Sequence, residues 1–252
     1  MIPLFAFFLG AIIGSFLNVC IYRLPKRESI LSPPSHCPHC GAPIRFYDNI
    51  PLVSYLVLRG KCRQCKAHIS PRYPVVEATS GLLALALFLR YGPTITFVLL
   101  LAFTGALIVI TFIDLDHQII PDSISIPGIF VGVGASFLLP LTTWLESLFG
   151  ILVGGGFLFV VAVGYKWITG REGMGGGDVK LLAMLGAWLG WKAVPFILFS
   201  SSLIGVLVGG GIALLQRAGF RSRIPFGPFL ALSAIIYVFF GQEVMNWYLY
   251  RR

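Results

Sequence analysis

The chain has 252 residues, of which 57% are hydrophobic and only 12% are charged, and its mean hydropathy is +0.87. Soluble domains carry about 25% charged residues, so this composition excludes an ordinary soluble protein and indicates a polytopic membrane protein. The net charge of +9 would point to nucleic acid in a soluble chain. In a membrane protein the excess of Lys and Arg in cytoplasmic loops accounts for it, and we predict no nucleic-acid partner.

Eight apolar stretches are close to the length that a helix needs to cross a bilayer, which is roughly 17 to 25 residues. The predicted fold class is therefore an all-α polytopic membrane protein with about eight transmembrane helices. The sixth stretch is short, and a partly re-entrant segment is an alternative there. The stretches cover residues 2–22, 75–91, 94–113, 123–141, 144–165, 179–193, 195–215 and 226–248.

The distribution of positive charge orients these helices. Nine Lys and Arg residues lie between the first two stretches, three flank Asp178, and three follow the seventh stretch. With an even number of crossings all of them fall on one face, which we place in the cytoplasm, so both termini lie outside. The first stretch has no basic region before it and no small-residue cleavage site, so it is expected to be an uncleaved anchor.

The loop after the first helix is the only sizeable polar stretch, and it holds two C-x-x-C pairs. Two such pairs separated by 21 residues predict a tetrahedral zinc site, because two thiolates three positions apart reach one metal across a tight turn. Gly41 and Lys66 suit such turns. The predicted domains are residues 1–22 as the first helix, 23–74 as a cytoplasmic zinc-binding loop and 75–252 as the membrane core. The expected ligands are Cys37, Cys40, Cys62 and Cys65.

The alternatives for these cysteines are two disulfides or four free thiols, and a reducing cytoplasm argues against disulfides. Four thiolates would close the coordination sphere, so the predicted role of the zinc is structural. His36, His39 and His68 are alternative ligands, although solvated loop positions explain them better. Cys20 falls inside the first helix, where a packing role is expected.

Asp114 closes the apolar run that ends at Ile113, in a chain with only ten acidic residues. A carboxylate at the edge of a membrane segment is costly and is usually kept for proton or ion chemistry. Asp116 is expected in solvent. Asp122 follows Pro121, and its simplest role is to cap the fourth helix. A polar helix end is the alternative interpretation of Asp114.

Asp178 follows the glycine-rich run at residues 173–177. Glycines let the backbone approach a substrate strand closely and leave the loop mobile. The alternative is a flexible loop in which Asp178 caps a helix that starts at Val179. No G-K-[ST] follows, so a phosphate-binding loop is not expected.

Taken together, Asp114 and Asp178 predict a catalytic pair. Two carboxylates within reach of each other cannot both ionise easily and share one proton, so one can activate water while the other protonates a scissile carbonyl. The chain has no H-E-x-x-H and no G-x-S-x-G motif. A proton-coupled transporter with the two aspartates as a proton relay is the second hypothesis, although no internal repeat supports it. A zinc-bearing scaffold, the third, leaves both aspartates unexplained.

Over nearly its whole length the chain resembles the bacterial type IV prepilin leader peptidases, which belong to the GxGD class of membrane aspartyl proteases. The likeness includes both C-x-x-C pairs, the Ile113-Asp114 junction and the glycine-rich run before Asp178. It also includes Gly14-Ser15-Phe16-Leu17-Asn18-Val19, Arg23-Leu24-Pro25, the segment from Asn49 to Leu56, Arg72-Tyr73-Pro74, Glu77, Pro121-Asp122 and Ile224-Pro225-Phe226-Gly227-Pro228.

The resemblance implies an enzyme of the bacterial inner membrane. Such an enzyme removes a short basic leader from prepilins or pseudopilins at the cytoplasmic membrane face, cutting after a glycine. Many members then methylate the new N-terminal amine with S-adenosylmethionine, and here that second activity rests on the resemblance alone. The family's catalytic aspartates correspond to Asp114 and Asp178, and its metal-binding cysteines to the four cysteines named above.

Overall fold

The computed structural model describes the backbone of residues 2–170, 175–216 and 225–250, and side chains in these ranges except at 212–216, 242 and 245–250. Several residues used in the sequence-based predictions lie outside the described residues. They are Arg171, Gly173, Met174, Arg217, Arg221, Arg223, Ile224, Arg251 and Arg252.

The described residues form nine α-helices and no β-strand, which confirms the predicted all-α class. Two single 3₁₀ turns, Leu24–Lys26 and Phe46–Asp48, interrupt the polar loop. The helices are α1 (Ile2–Arg23), α2 (Val53–Val57), α3 (Arg72–Tyr91), α4 (Ile95–His117), α5 (Asp122–Ala135), α6 (Trp144–Thr169), α7 (Gly176–Leu189), α8 (Ala193–Gln216) and α9 (Gly227–Tyr250).

Each of the eight predicted apolar stretches contains one long or medium helix, and the short α2 lies in the polar loop. Within the described residues, five helices are long and apolar enough to cross a membrane, namely α1, α3, α4, α6 and α8. Helices α5 and α7 have 14 residues each, and α9 is apolar over its described first part, Gly227–Gly241. The protein therefore has several candidate crossings, while the count of eight stays a prediction.

The chain forms two compact units, residues 1–109 and 110–252, with the division inside α4. In the first unit α1 packs against α3, because small residues on α1 let the two backbones approach. A Cβ on Gly14 would lie 2.8 Å from the Glu77 Cα. Asn18 donates from Nδ2 to the Tyr73 carbonyl at 3.2 Å, which ties the end of α1 to the start of α3. The predicted division into residues 1–22, 23–74 and 75–252 stays a prediction.

In the second unit α7 is the central helix. Every residue from Leu181 to Leu189 is buried, and a helix that is apolar on all sides is typically enclosed by other helices. Its backbone meets α6 so closely that a Cβ on Gly150 would lie 2.1 Å from the Gly186 carbonyl oxygen. On another side, the Trp188 indole donates to the Gly128 carbonyl of α5 at 2.9 Å. These contacts hold α7 in place between α5 and α6, and Asp178 lies in the first turn of this helix.

Candidate carboxylate site and metal centre

Asp114 lies inside the last turn of α4, which continues to His117 and not only to the predicted end at residue 113. Gln118 adopts a left-handed φ of +53° and returns its N–H to the Asp114 carbonyl at 2.9 Å, which ends the helix. The Asp114 side chain is only 5% exposed, whereas Asp116 is exposed, as predicted. Asp114 is therefore a buried carboxylate of the kind that a membrane protein keeps for chemistry.

The partner of the Asp114 carboxylate is the backbone of a segment far along the chain. The Gly227 N–H donates to Asp114 Oδ2 at 2.9 Å, across 113 residues of sequence. Gly227 is the first residue of α9, so a carboxylate at this position accepts an otherwise unpaired N–H and faces the positive end of the helix dipole. A Cβ on Gly227 would lie 2.6 Å from Oδ2, so only glycine fits this contact without a shift.

Asp178 lies in the first turn of α7, which begins at Gly176 with Gly175 as N-cap. The alternative of Asp178 as the cap of a helix starting at Val179 is therefore wrong, because the glycines themselves continue into the helix. The Ile120 side chain connects the two carboxylate segments: a Cβ on Gly177 would lie 3.0 Å from it, and a Cβ on Gly227 would lie 3.4 Å from it.

The electrostatics of Asp178 agree with this placement. Asp178 precedes the apolar run of α7 and lies outside the five candidate membrane spans. Burial, and secondly the negative charge of Asp114, raises the pKa of Asp178 to about 6. A carboxyl group normally titrates near pH 4, so burial and the Asp114 charge both favour the protonated form of Asp178.

Asp122 has a different role from the predicted helix cap. The N-cap of α5 is Pro121, and the Asp122 side chain makes no capping hydrogen bond. Asp122 instead accepts from Lys180 Nζ at 2.7 and 2.8 Å, in an exposed ion pair between α5 and α7. This ion pair satisfies the Asp122 carboxylate. Of the other two carboxylates, Asp114 is buried and Asp178 is half-buried.

The four cysteines of the polar loop form one cluster, as predicted. Their Sγ atoms all lie within 4.8 Å of one another, and the Cys37 and Cys65 sulfurs are 3.9 Å apart. Sulfurs of a tetrahedral site with Zn–S bonds of about 2.3 Å lie about 3.8 Å apart. The cluster could therefore bind a metal such as zinc, and its candidate ligands are Cys37, Cys40, Cys62 and Cys65.

Each C-x-x-C pair sits on the same kind of turn. The Cys37 N–H donates to the Ala42 carbonyl at 2.9 Å, and the Cys62 N–H donates to the Ala67 carbonyl at 2.8 Å. The turns close at the predicted residues, with a φ of +69° at Gly41 and +60° at Lys66. The two loops thus present their thiols to one point.

The thiol chemistry of the cluster suits a cation. Backbone N–H groups of Cys65 and Gln64 lower the pKa of Cys62 to about 7, so this thiol is readily a thiolate, the form that ligates metal. Although the Ala67 N–H lowers it, burial and the neighbouring thiols raise the pKa of Cys65 to about 11, so a bound metal would have to displace the Cys65 proton. All four cysteines are free of disulfides, and the metal-ligand group contains none of the three nearby histidines. Four sulfur ligands leave no open position for substrate, which fits a structural metal.

Polar contacts hold the rest of the loop in place. Asp48 accepts a bidentate interaction from Arg63, at 2.8 Å to Nε and 2.6 Å to Nη2, and this contact holds the pKa of Asp48 below its usual range. The buried Glu77 of α3 accepts the Leu52 N–H at 2.7 Å, while Leu52 adopts a left-handed φ of +63°. Glu77 therefore fixes a strained turn of the loop against the membrane helices of this unit.

Three residues of these sites had no functional role in the sequence-based predictions: Gly227, Ile120 and Glu77. Gly227 and Glu77 were noted only as parts of the family resemblance. Gly227 contributes a backbone N–H, which has no side-chain signature. The available signal was the position of Gly227 between Phe226 and Pro228, at the start of an apolar helix.

The apolar helices and the carboxylates of Asp114 and Asp178 indicate the class, a membrane protein with acidic groups at its helix ends. Comparison with known proteins defines the family. The model described as "Bacterial Peptidase A24 N-terminal domain" matches residues 8–91, and the model described as "Type IV leader peptidase family" matches residues 101–210. No solved structure matches the chain.

Curated relatives are similar over almost the whole chain. A prepilin leader peptidase/N-methyltransferase of Aeromonas hydrophila is 40% identical, over 96% of this chain and 92% of its own. Proteins of the same name from Pseudomonas putida (38%, over 94% and 90%) and Pseudomonas aeruginosa (40%, over 96% and 91%) are similar to the same extent. The chain belongs to the type IV leader peptidase family.

Proposed function

We propose that this protein is a membrane aspartyl endopeptidase that cleaves the basic leader from type IV prepilins or pseudopilins, and then methylates the new N-terminal amine. The observation that carries the peptidase is the buried Asp114, held by the Gly227 N–H, whose negative charge acts on Asp178. The names of the relatives support both activities.

The geometry favours separate roles for the two carboxyl groups. Asp114 Oδ2 is engaged by Gly227, so Oδ1 is the oxygen available to accept a proton from the attacking water. Asp178, with its raised pKa, holds the shared proton and donates it to the scissile carbonyl oxygen. The mechanism needs no side-chain nucleophile, because water attacks the carbonyl directly.

Access to the two aspartates depends on the conformation of the substrate around the scissile bond. A pilin leader is short and basic, and the segment after it is a long apolar helix that can stay in the bilayer beside the enzyme. The scissile bond must be unwound before water can attack, since helical amides are hydrogen-bonded. A glycine before that bond has weak helix propensity and makes the unwinding easier.

We place the active site and the cysteine loop at the cytoplasmic face of the bacterial inner membrane, with the N-terminus outside. This proposal rests on the fifteen Lys and Arg residues that the predicted eight-crossing topology collects on one face. A cytoplasmic location also keeps the four thiols reduced and available for zinc. In spheroplasts, whose outer membrane has been opened, an added protease should remove a tag fused before Ile2.

A proton-coupled transporter is not favoured, because family and relatives indicate a peptidase over almost the whole chain. A scaffold without catalysis would leave the burial of Asp114 without a purpose. Both alternatives predict no cleavage by the purified protein.

The test uses purified protein in detergent with a prepilin, with and without S-adenosylmethionine, and reads the product masses. The wild type should release the leader and, with the methyl donor, add about 14 Da to the mature pilin. Asp114→Asn and Asp178→Asn keep the side-chain shape but remove the acid–base groups. Each should lower cleavage by about 10³-fold or more.

The matched control is Asp116→Asn, an exposed carboxylate two residues from Asp114 on the same helix. It should cleave within about threefold of wild type, since surface substitutions usually change free energies by less than about 0.5 kcal/mol. Near wild-type cleavage by Asp114→Asn would refute the assignment of the pair. Thermal unfolding of each variant should match wild type, so that a loss of activity reports chemistry.

A further inference from the structure

A cavity of about 360 Å³ lies in the first compact unit, between α1 and the loop that follows it. One wall is a single face of α1, because Ile12, Phe16 and Val19 are spaced three or four residues apart. The opposite wall is the loop at residues 30–35, with Asn49. The volume falls within the range of about 300 to 1,000 Å³ that is typical of small-molecule and cofactor sites.

Arg23 lines this cavity and is a buried cation, with only 6% of its surface exposed. Its Nη1 donates to the Ser29 carbonyl at 2.9 Å, and its Nη2 donates to the Pro33 carbonyl at 2.6 Å. Within the part of the chain that the structure describes, no carboxylate pairs with Arg23. A guanidinium has five N–H donors, and a buried charge without a counter-charge is costly. The site is therefore suited to an anionic group on a ligand.

The other groups of the cavity describe the rest of such a ligand. Ser15 and Asn49 offer a hydroxyl and an amide, and the only hydrogen bond between them is long, at 3.5 Å. The Asn49 amide is thus available to ring nitrogens or sugar hydroxyls, whereas the Ser15 hydroxyl also interacts with the Glu77 carboxylate. Phe16 exposes 48% of its surface and offers a ring face to a flat heterocycle or a cation. The combination fits a molecule with a carboxylate, a sugar and a planar base.

We propose that this cavity is the methyl-donor site, with the carboxylate of S-adenosylmethionine on Arg23 and its adenosine part against Phe16 and Asn49. The inference rests on the proposed function, which requires such a donor. The two aspartates belong to the other compact unit, residues 110–252, so the first unit is available for a second activity. The cavity also lies within the separate N-terminal family match, residues 8–91.

The experiment measures binding directly, so that it does not depend on catalysis. S-adenosylhomocysteine keeps the carboxylate and the adenosine but cannot donate a methyl group, and its Kd for the purified protein is read by calorimetry. Arg23→Gln removes the charge, Asn49→Ala removes the amide, and Val19→Trp fills the cavity from the α1 wall. Each should raise the Kd about tenfold or more.

The matched control is Phe8→Leu, an exposed apolar position on α1 outside the cavity, which should leave the Kd unchanged. Arg23 also holds two loop carbonyls, so Arg23→Gln can disturb the loop. Val19→Trp, which leaves those bonds in place, keeps the inference testable. Zinc content and cleavage rate are measured on every variant. If cleavage falls together with the affinity for S-adenosylhomocysteine, the effect is purely structural and the inference is overturned.

Two further results would also overturn the proposal. One is wild-type affinity in both Arg23→Gln and Val19→Trp. The other is displacement of S-adenosylhomocysteine by phosphatidylglycerol together with unchanged methylation in Val19→Trp, which would make the cavity an anionic lipid site. In all these cases the wild type still cleaves and methylates a prepilin. A wild type that does neither refutes the proposed function itself, so the two failures are distinguishable.

Discussion

The cysteine loop and the carboxylate site are built in opposite ways. The loop assembles from two near-identical turns whose thiols are at most 28 positions apart, and three of its four cysteines are at least partly exposed. The carboxylate site joins the end of α4, the start of α7 and the start of α9, and its main hydrogen bond spans 113 residues. Local chain geometry creates the first site, whereas packing of helices in the second unit creates the other.

This difference determines what each region tolerates. A turn-based metal site depends on its ligands and on a few left-handed residues, and it can form with little support from the surroundings. The carboxylate pair depends on where helices begin and end, and a displacement of about 1 Å at a reacting group can cost about 10²-fold in rate. The predictions below test whether the two regions respond as differently as their construction implies.

Among changes that leave both aspartates in place, the largest effect is expected at Gly227, which has no reacting side chain. Gly227→Ala places a Cβ where the structure leaves 2.6 Å to Asp114 Oδ2, so the carboxylate or the start of α9 must move. We expect cleavage to fall about 10²-fold. Gly134→Ala is the control, because nothing lies within 4 Å of a Cβ there. Equal cleavage rates of both variants would show that Asp114 does not depend on this contact.

The second expected effect is a pH dependence that belongs to the pair. One shared proton is needed, so kcat/KM should fall about tenfold per pH unit above the upper pKa of the pair and also fall when both groups are protonated. The pKa of Asp178 is raised to about 6, so the alkaline limb should begin at about pH 6 or above. An alkaline limb near pH 4, the ordinary value of a carboxyl group, would contradict the coupling.

A smaller effect is expected within the glycine-rich run. A Cβ on Gly177 meets Ile120 at 3.0 Å, tighter than ordinary contact, while nothing lies within 4 Å of a Cβ on Gly176. Gly177→Ala should therefore lower cleavage about tenfold, by shifting the first turn of α7 that carries Asp178. Gly176→Ala should stay within about threefold of wild type. The reverse order would mean that flexibility, and not steric fit, makes these glycines necessary.

The contrast also explains what could be predicted from the sequence. The cysteine cluster was predictable because spacing alone fixes which thiols meet, and even the turn residues Gly41 and Lys66 were correct. The two aspartates were predictable because carboxylates are rare beside apolar stretches. The Gly227 N–H was not predictable from local pattern, since a backbone donor brought in from a distant helix leaves no side-chain signal.

The errors have a common physical cause. Helix ends were placed where the apolar run stopped, but α4 continues through Asp114 to His117, and α7 begins in the glycines at Gly176. Hydrophobicity marks where a helix contacts lipid or protein, whereas helix ends depend on backbone hydrogen bonds. Asp122 was assigned to a cap for the same reason, although tertiary contact with Lys180 determines its role.

The smallest effect on cleavage is expected from the metal site, and it tests the independence of the two regions most directly. We expect one zinc per wild-type chain by elemental analysis, and close to none in Cys62→Ser, because a thiolate ligand is lost. Cleavage should change less than about tenfold, which corresponds to about 1.4 kcal/mol in the barrier, since both aspartates lie in the other unit. Methylation should be lost before cleavage.

The control is Cys20→Ala, which changes a buried cysteine of α1 outside the cluster and should keep its zinc. A Cys62→Ser protein that loses cleavage as completely as Asp114→Asn would show that the metal supports the carboxylate pair and that the two regions act as one.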